Sequence, residues 1–411
     1  MKHIINAKHI QTVKSEINLP SSKSIANRAL IINSLSNSKY PIQNLSESDD
    51  TFVLNKVLQS NDNICDIGHA GTAMRFLTAF LSQVVGEWVL TGSDRMKQRP
   101  IQVLVEALGK LGAEIEYLDQ EGYPPLRIKG AKLKGGVLEL DGSVSSQYIS
   151  ALLMIAPTLK EGLTLRLTNR ITSRSYIEMT LGLMAQYGVA SEWLSENEIH
   201  IAEQKYQPID FTVESDWSGA SYMYEILALL PQGEIFLPNI QLDSLQGDCA
   251  IAEWFEAFGV QSIPQGNGLL LKKEKPQQPE HLKLDFLLNP DIAQTMAVIC
   301  VMLKVPFHFT GLETLKIKET NRILALQNEL LKFGASLQEP QHGELSWDGT
   351  FPFPAKEKPL ILTYHDHRMA LAFAPAALFV EIEIDDPMVI TKSYPRYYED
   401  LKSLGMEVIG E

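Results

Sequence analysis

The sequence has few cysteines, no long apolar run and no signal-like N-terminus. Its three cysteines, Cys65, Cys249 and Cys300, are widely spaced, a pattern that fits neither a disulfide framework nor a metal motif. The longest apolar run, residues 369–380, is too short to cross a bilayer and is interrupted by Pro375. The first residues also lack the apolar core of a signal peptide. We therefore expect a cytoplasmic protein without disulfides or membrane segments.

Basic residues are outnumbered by acidic ones. The chain has 36 Lys and Arg against 50 Asp and Glu, a formal net charge of −14. Since a general nucleic-acid binder needs a basic face, we expect no nucleic-acid partner. Apolar residues make up 45% and charged residues 21%, as is usual for a globular protein. A length of 411 residues favours two domains over one core.

A repeated pattern runs along the chain. Six times, an apolar helix-like stretch opens with small polar or acidic residues and is followed by a more amphipathic stretch. After the first gap, the openings recur every 73–75 residues or so, roughly the length of a βαβ unit with extra strands. They lie near Ser22, Ala70, Ser145, Ser218, Asp291 and Asp366. The pattern predicts an α/β fold with three repeats in each of two similar domains.

Five of the amphipathic stretches end in a glycine that precedes a strand-like run. Glycine at this position can take the left-handed conformation that terminates a helix. The five are Gly112, Gly188, Gly259, Gly334 and Gly405. We predict a helix C-terminus at each of them.

Cations and hydrogen-bond donors concentrate at the predicted helix starts. The basic residues there are Lys23, Arg28, Arg75, Lys318, Arg322 and Arg368. The hydroxyl and amide donors are Ser145, Ser146, Gln147, Ser173 and Tyr176. Capping alone accounts for each motif taken singly. Because the helix dipole opposes cations at an N-terminus, the set as a whole indicates a ligand with several phosphates or carboxylates.

A metal site is one alternative at residues 364–370. His365 and His367 flank Asp366 in the sequence, but no supporting ligand cluster accompanies them, so the metal pattern is weak. We expect neither a metal nor another cofactor.

Ordered motifs along nearly the whole chain resemble those of the 5-enolpyruvylshikimate-3-phosphate (EPSP) synthase family. They are PSSKSIANR (20–28), GHAGTAMR (68–75), RMKQRP (95–100), GSVSSQY (142–148), SRSYIEMTLGLM (173–184), VESDWSGASY (213–222), QGD (246–248), KIKETNR (316–322), DHRMA (366–370) and the segment around Lys392. The resemblance implies two inside-out α/β domains, each of three βαβαββ-type repeats. Residues 19–213 would form the first domain, and residues 1–18 with 214–411 the second.

The implied reaction transfers the enolpyruvyl group of phosphoenolpyruvate to the 5-hydroxyl of shikimate 3-phosphate and releases phosphate. By the resemblance, Asp291 is the base, Glu319 the proton donor, and Lys23 contacts both ligands. The residues implied to bind shikimate 3-phosphate are Lys23, Ser24, Arg28, Ser145, Ser146, Gln147, Ser173, Tyr176, Asp291 and Lys318. Those implied to bind phosphoenolpyruvate are Lys23, Gly71, Arg99, Gln147, Arg322, Arg368 and Lys392. His367 and Arg75 would line the cleft, and we expect a monomer.

The chain departs from the family pattern at Ser21, His69, Thr314 with Leu315, and Asn321. Of these, His69 and Thr314 occupy ligand-lining positions, so we expect them to alter affinity and not the reaction type.

Two other functions fit parts of the sequence. A sister enolpyruvyl transferase that acts on UDP-N-acetylglucosamine is disfavoured, because Lys23 is followed by Ser24 and not by Asn. It is disfavoured also because no cysteine lies in a Gly/Pro-rich loop. A non-catalytic anion-binding protein on the same fold is disfavoured by the intact set of Asp291, Glu319 and Lys23.

Overall fold

The computed structural model describes residues 2–172 and 174–410 and divides the chain into two compact units. The inserted unit is Ser21–Glu214, and the flanking unit consists of the chain up to Pro20 and from Ser215 onward. No helix in the described ranges is both long and apolar enough to cross a membrane.

Strands and helices alternate through both units and are numbered in chain order. The strands are β1 (Lys2–Asn6), β2 (Lys14–Glu16), β3 (Ile64–Asp66), β4 (Gly86–Thr91), β5 (Glu114–Tyr117), β6 (Leu126–Gly130), β7 (Gly136–Asp141), β8 (Leu163–Thr168), β9 (Glu192–Ser195), β10 (Glu198–Ile201), β11 (Gly233–Pro238), β12 (Gln261–Gln265), β13 (Gly268–Lys273), β14 (Leu282–Asp285), β15 (Phe307–Thr310), β16 (Leu345–Trp347), β17 (Leu360–Ile361), β18 (Ile382–Asp385) and β19 (Glu407–Gly410). The α-helices are α1 (Lys23–Leu35), α2 (Asp49–Gln59), α3 (Gly71–Leu81), α4 (Gln102–Lys110), α5 (Ser146–Ile155), α6 (Arg174–Gln186), α7 (Trp217–Leu229), α8 (Ile251–Trp254), α9 (Ala293–Met302), α10 (Arg322–Leu331), α11 (His367–Phe373) and α12 (Tyr397–Ser403).

The sheets of both units share one strand order. In β3-β4-β6-β5, β7-β8-β10-β9 and β2-β11-β13-β12, the first two strands are parallel and the other neighbours are antiparallel. Such a parallel pair needs a crossover, which the first helix of each repeat supplies. Each repeat therefore reads strand, helix, strand, helix, strand, strand.

The remaining repeats are variations on this order. In β17-β18-β1-β19, the chain's first strand supplies the last strand of the final repeat. The sheet β14-β15-β16 has three strands, and an isolated bridge between Gln338 and Ser346 stands in place of the fourth. The repeat that contains α1 and α2 keeps a parallel bridge between Gln43 and Thr212. Each unit thus carries three repeats, as the periodicity predicted.

The helices lie inside and the sheets outside in each unit. The first helices of the repeats pack on one another, α1 with α3 and α5 in the inserted unit, and α9 with α7 and α11 in the flanking unit. Helix α9 is apolar on all sides and buried from Ala293 to Val301, as expected for a helix in the centre of a domain. Along β8, buried Leu163, Leu165 and Leu167 alternate with more exposed residues. Each sheet therefore covers the helices with one face only.

The five predicted helix-ending glycines all have left-handed backbone. Their φ angles are 99° at Gly112, 79° at Gly188, 77° at Gly259, 93° at Gly334 and 93° at Gly405. The prediction is confirmed, since a side chain at this φ is strained and glycine is not.

Several predicted helix boundaries are wrong. The amphipathic stretch at residues 248–258 predicts one helix, but the structure has the short α8 between two 3-10 helices there. The apolar run that ends at Val380 predicts a helix up to that residue, but α11 stops at Phe373, because Pro375 lacks the N–H that would continue it. Asp291 lies in a 3-10 turn before α9, and Glu319 precedes α10, which Asn321 caps. Both carboxylates therefore lie ahead of α-helices.

Candidate active site

Arg28 is a buried cation in the second turn of α1, with 3% of its surface exposed. Its Nε donates to Thr180 Oγ1 at 2.7 Å, its Nη1 to the Ser24 carbonyl at 2.9 Å, and its Nη2 to Ser150 Oγ at 2.9 Å. All of these partners are neutral, and burial lowers the pKa of Arg28 to about 10. The guanidinium is still protonated at neutral pH. Its positive charge therefore favours an anion at this end of α1.

Two further arginines meet at the start of α3. Gly71 is the first residue of this helix, and Arg75, buried one turn later, donates from Nη1 to the Gly71 carbonyl at 3.0 Å. A Cβ built on Gly71 would overlap the guanidinium of Arg99, so Arg99 lies over the helix start. Burial lowers the pKa of Arg75, and the charge of Arg99 lowers it further. An anion bound here would relieve this repulsion and face the unpaired N–H groups of α3.

Donors from α5 lie beside the same helix start. Ser145 caps α5 by accepting from the Gln147 N–H at 3.4 Å, and Gln147 Nε2 donates to Thr72 Oγ1 at 3.3 Å. This hydrogen bond connects the first turns of α3 and α5. Ser146, the first residue of α5, is half-buried.

The start of α1 and the first turn of α6 complete this group. Lys23, half-buried, is the first residue of α1, which Ser22 caps by accepting from the Ile25 N–H at 3.4 Å. The Tyr176 ring lies 5.8 Å from the Arg28 guanidinium carbon. The predicted site residue Ser173 lies outside the described residues. The inserted unit thus brings Lys23, Arg28 and Tyr176 together on neighbouring helices.

In the flanking unit, Arg322 binds three carboxylates. It is 1% exposed. Its Nε and Nη2 contact the two oxygens of Asp366 at 2.6 and 3.2 Å. Its Nη1 contacts Asp291 Oδ1 and its Nη2 contacts Glu319 Oε2, both at 3.0 Å. Burial alone would lower the pKa of Arg322, but the three carboxylates outweigh burial and raise it. Arg322 therefore holds the predicted base and the predicted proton donor on one side chain.

Asp291 is surrounded by cations. Besides Arg322, Arg368 Nη2 lies 3.2 Å from Asp291 Oδ2 and Lys318 Nζ lies 3.7 Å from Oδ1. Arg368 Nη1 also donates to the Asp291 carbonyl at 2.9 Å. These positive charges stabilise the ionised carboxylate, which is the form that can accept a proton.

Glu319 is also ionised in this structure. Burial raises its pKa, but Arg322 and His367 outweigh burial and bring the pKa well below its ordinary value. Its side chain is 35% exposed, so solvent reaches it. A role as proton donor therefore requires a bound anion that raises this pKa again.

The start of α11 contributes the remaining predicted residues. Asp366 caps this helix by accepting from the Arg368 N–H at 3.0 Å, and His367 is its first residue. Lys392 Nζ donates to the His365 carbonyl at 3.3 Å, which places it near the same helix start. Within residues 2–172 and 174–410, no cluster of three or more His, Cys, Asp or Glu is arranged to hold a metal ion.

The sequence did not predict two contacts in this unit, the ion pair of Asp366 with Arg322 and the hydrogen bond of Ser218 with Asp248. Asp366 was interpreted as a helix opening or a weak metal ligand, yet it is fully buried and anchors Arg322. The residues next to Asp366 are two histidines and an arginine, and this local pattern does not predict an ion pair with Arg322, 44 residues away. A hydrogen bond between Ser218 and Asp248 was also missed, although both residues lie in motifs that carried the resemblance.

Comparisons with known proteins identify the family of this chain. A family model described as EPSP synthase (3-phosphoshikimate 1-carboxyvinyltransferase) matches residues 7–60 and 53–401. The chain belongs to the EPSP synthase family. A curated 3-phosphoshikimate 1-carboxyvinyltransferase of Bacteroides fragilis is 51% identical over 100% of both chains. The enzyme of that name from Aliivibrio fischeri is 37% identical and covers 96% of this chain and 98% of its own.

Solved structures of this family support the fold. An EPSP synthase from Acinetobacter baumannii superposes with a TM-score of 0.81 over 100% of both chains at 19% identity. A second structure of EPSP synthase from this organism gives a TM-score of 0.79 at 18% identity. The mixed α/β architecture with inside-out repeats is therefore that of EPSP synthases.

Proposed function

We propose that the protein transfers the enolpyruvyl group of phosphoenolpyruvate to the 5-hydroxyl of shikimate 3-phosphate and releases phosphate. It is an enzyme of aromatic amino-acid biosynthesis, a 3-phosphoshikimate 1-carboxyvinyltransferase. The observation that carries this function is the arrangement around Arg322, which binds Asp291 and Glu319 at 3.0 Å each. One carboxylate can accept a proton while the other returns one, as an addition–elimination reaction needs.

We assign to each substrate the set of cations and hydrogen-bond donors that the sequence predicted for it. We assign Lys23, Ser24, Arg28, Ser145, Ser146, Gln147, Ser173, Tyr176, Asp291 and Lys318 to shikimate 3-phosphate. We assign Lys23, Gly71, Arg99, Gln147, Arg322, Arg368 and Lys392 to phosphoenolpyruvate. The support is electrostatic, because the hydrogen bonds of Arg28 within residues 2–172 and 174–410 go to neutral oxygens, and because Arg75 and Arg99 repel each other. Multiply charged anions compensate such cations.

In the first step, the 5-hydroxyl oxygen bonds to C2 of phosphoenolpyruvate. Asp291 takes the hydroxyl proton, and Glu319 gives a proton to the methylene carbon, which becomes a methyl group. In the second step, the bond between C2 and the phosphate oxygen breaks, Asp291 returns its proton to that oxygen, and phosphate leaves. The methyl group returns a proton to Glu319 as the double bond forms again. Arg322 and Arg368 hold Asp291 in place throughout, as their distances of 3.0 and 3.2 Å allow.

The remaining predictions concern the molecule's organisation. We propose that the inserted and flanking units act as the family's two domains. The predicted monomeric state, cytoplasmic location and lack of a nucleic-acid partner stay predictions.

Phosphate release with defined substrates tests this function. We expect release only when phosphoenolpyruvate and shikimate 3-phosphate are both present, with one enolpyruvyl product formed for each phosphate. Replacing shikimate 3-phosphate by UDP-N-acetylglucosamine tests the sister activity, and each substrate alone serves as a control. Release with the UDP-sugar instead, or no turnover with either acceptor, would contradict the proposal.

A further inference from the structure

Two sequence motifs had no functional assignment, VESDWSGASY and QGD, and the flanking unit brings them into contact. Ser218, in the first turn of α7, donates from Oγ to Asp248 Oδ2 at 2.5 Å. Asp248 belongs to the 3-10 helix Gly247–Ala250 and is 8% exposed. Burying a carboxylate is costly unless it is hydrogen-bonded and paired with a charge, and the Ser218 hydrogen bond and the nearby Arg368 charge meet this need for Asp248.

Arg368 lies on the other side of Ser218. Its Nη2 donates to Ser218 Oγ at 3.4 Å and lies 3.2 Å from Asp291 Oδ2, while its Nη1 donates to the Asp291 carbonyl at 2.9 Å. The guanidinium is therefore held between Ser218 and Asp291. A hydroxyl that donates to a carboxylate becomes a better acceptor, because hydrogen bonds in a chain polarise one another. The charge of Asp248 thus acts on Arg368 through Ser218.

We propose that Asp248 is a positioning residue, which fixes the Arg368 guanidinium through Ser218 in the orientation that binds phosphoenolpyruvate. This role rests on the proposed function, in which Arg368 contacts that substrate. Protonation of Asp248 removes its charge and weakens the hold on Arg368.

The surroundings of Asp248 bring its protonation into the pH range of an ordinary enzyme assay. Burial raises the pKa of Asp248 to about 6, with Asp291 adding to the rise and Arg368 and the Ser218 hydrogen bond opposing it. The charged groups that face it are Asp291 before α9, Arg368 on α11 and Asp216 at the N-cap of α7. Asp248 is therefore charged above this pKa and neutral below it.

Steady-state kinetics of Asp248→Asn and Ser218→Ala test the role. At about pH 8, both variants should raise KM for phosphoenolpyruvate about tenfold or more, the loss expected for one charge-assisted hydrogen bond. KM for shikimate 3-phosphate should change little. In the wild type, KM for phosphoenolpyruvate should rise as the pH falls through about 6 and approach the Asp248→Asn value, which should lack this inflection.

The controls separate positioning from structure. Asp243→Asn changes an exposed acid in the same loop and should match the wild type, while Ser218→Thr keeps the hydroxyl and should restore the wild-type pH profile. An unchanged KM at about pH 8 in Asp248→Asn, or parallel pH profiles in variant and wild type, would overturn the role. Equal loss for both substrates would also overturn it. If Asp248→Asn does not fold, Ser218→Ala decides by the same criteria. Failure of the proposed function is distinct, since the wild type itself would then not turn over.

Discussion

Glu319 must gain a proton before it can act as the proposed donor, and this uptake is measurable. In the ligand-free protein, Arg322 Nη2 lies 3.0 Å from Glu319 Oε2, and the pKa of Glu319 lies well below its ordinary value because Arg322 and His367 outweigh burial. One negative charge about 4 Å away contributes about 4 kcal/mol at an effective dielectric constant of 20, which raises a pKa by about 3. The carboxylate and phosphate of phosphoenolpyruvate are both anionic, so each raises the pKa of Glu319 when the substrate binds beside it.

Isothermal calorimetry with the 5-deoxy analogue of shikimate 3-phosphate, which cannot react, isolates this step. Phosphoenolpyruvate is titrated into the protein with this analogue bound, in two buffers of different ionisation enthalpy. The wild type should take up more protons than Glu319→Gln at about pH 6, by at most about one, and the difference should shrink at about pH 8. The comparison with Glu319→Gln isolates the proton uptake that depends on the Glu319 carboxylate. Equal proton uptake by the wild type and the variant would refute the reasoning.

The same variant should lose turnover without losing its fold. Glu319→Gln should reduce kcat by about 10²-fold or more, as for other general acids. Because the side chain is 35% exposed, its ion pair should contribute less than about 1 kcal/mol to stability. A lowered pKa stabilises the folded state above the unfolded value of about 4.3, and that contribution disappears as the pH falls. Urea unfolding should therefore differ slightly at neutral pH and not in acid, and Glu399→Gln, an exposed acid in α12, should change neither property.

Three further variants test other parts of the structure. Asp291→Asn should lower kcat by about 10²-fold or more with folding retained, and near-wild-type turnover would remove its role as base. Gly71→Ala places a methyl group against the guanidinium of Arg99, so it should raise KM for phosphoenolpyruvate with KM for shikimate 3-phosphate little changed; equal effects on both would contradict the placement. Glu225 is fully buried, and burial raises its pKa well above the ordinary value, so its own contribution to the free energy of unfolding should fall as the pH rises from about 4.3. Glu225→Gln should lack this slope and unfold at higher urea than the wild type in alkali, and identical pH dependence would contradict this account.

Local patterns in the sequence determined the elements and their order. The apolar openings predicted six buried first helices, and the glycines at 112, 188, 259, 334 and 405 predicted where the second helices end. Both signals are short-range, because they reflect helix periodicity and the backbone freedom of single residues. The predicted helix boundaries were less accurate where another feature interrupts the apolar pattern, as at Pro375 and in the broken helix around Asp248.

The ordered motifs pointed to the EPSP synthase family, and a curated 3-phosphoshikimate 1-carboxyvinyltransferase that is 51% identical over the full chain confirms it. They also pointed to the residues that carry charge. Lys23, Arg28, Asp291, Glu319 and Arg322 could be named from the sequence, since each lies in a distinctive motif. Their protonation states could not, because these depend on burial and on neighbours distant in the chain.

Only the tertiary structure decided how the charges are paired. Arg322 contacts Asp366 across 44 residues and Asp291 across 31, and Ser218 reaches Asp248 across 30 and Arg368 across 150. Such contacts arise because repeats that are far apart in the chain place their helix starts side by side. This packing decides whether an arginine contacts solvent, a carboxylate or neutral oxygens. The strength of each ion pair then depends on distance and on the water that packing excludes.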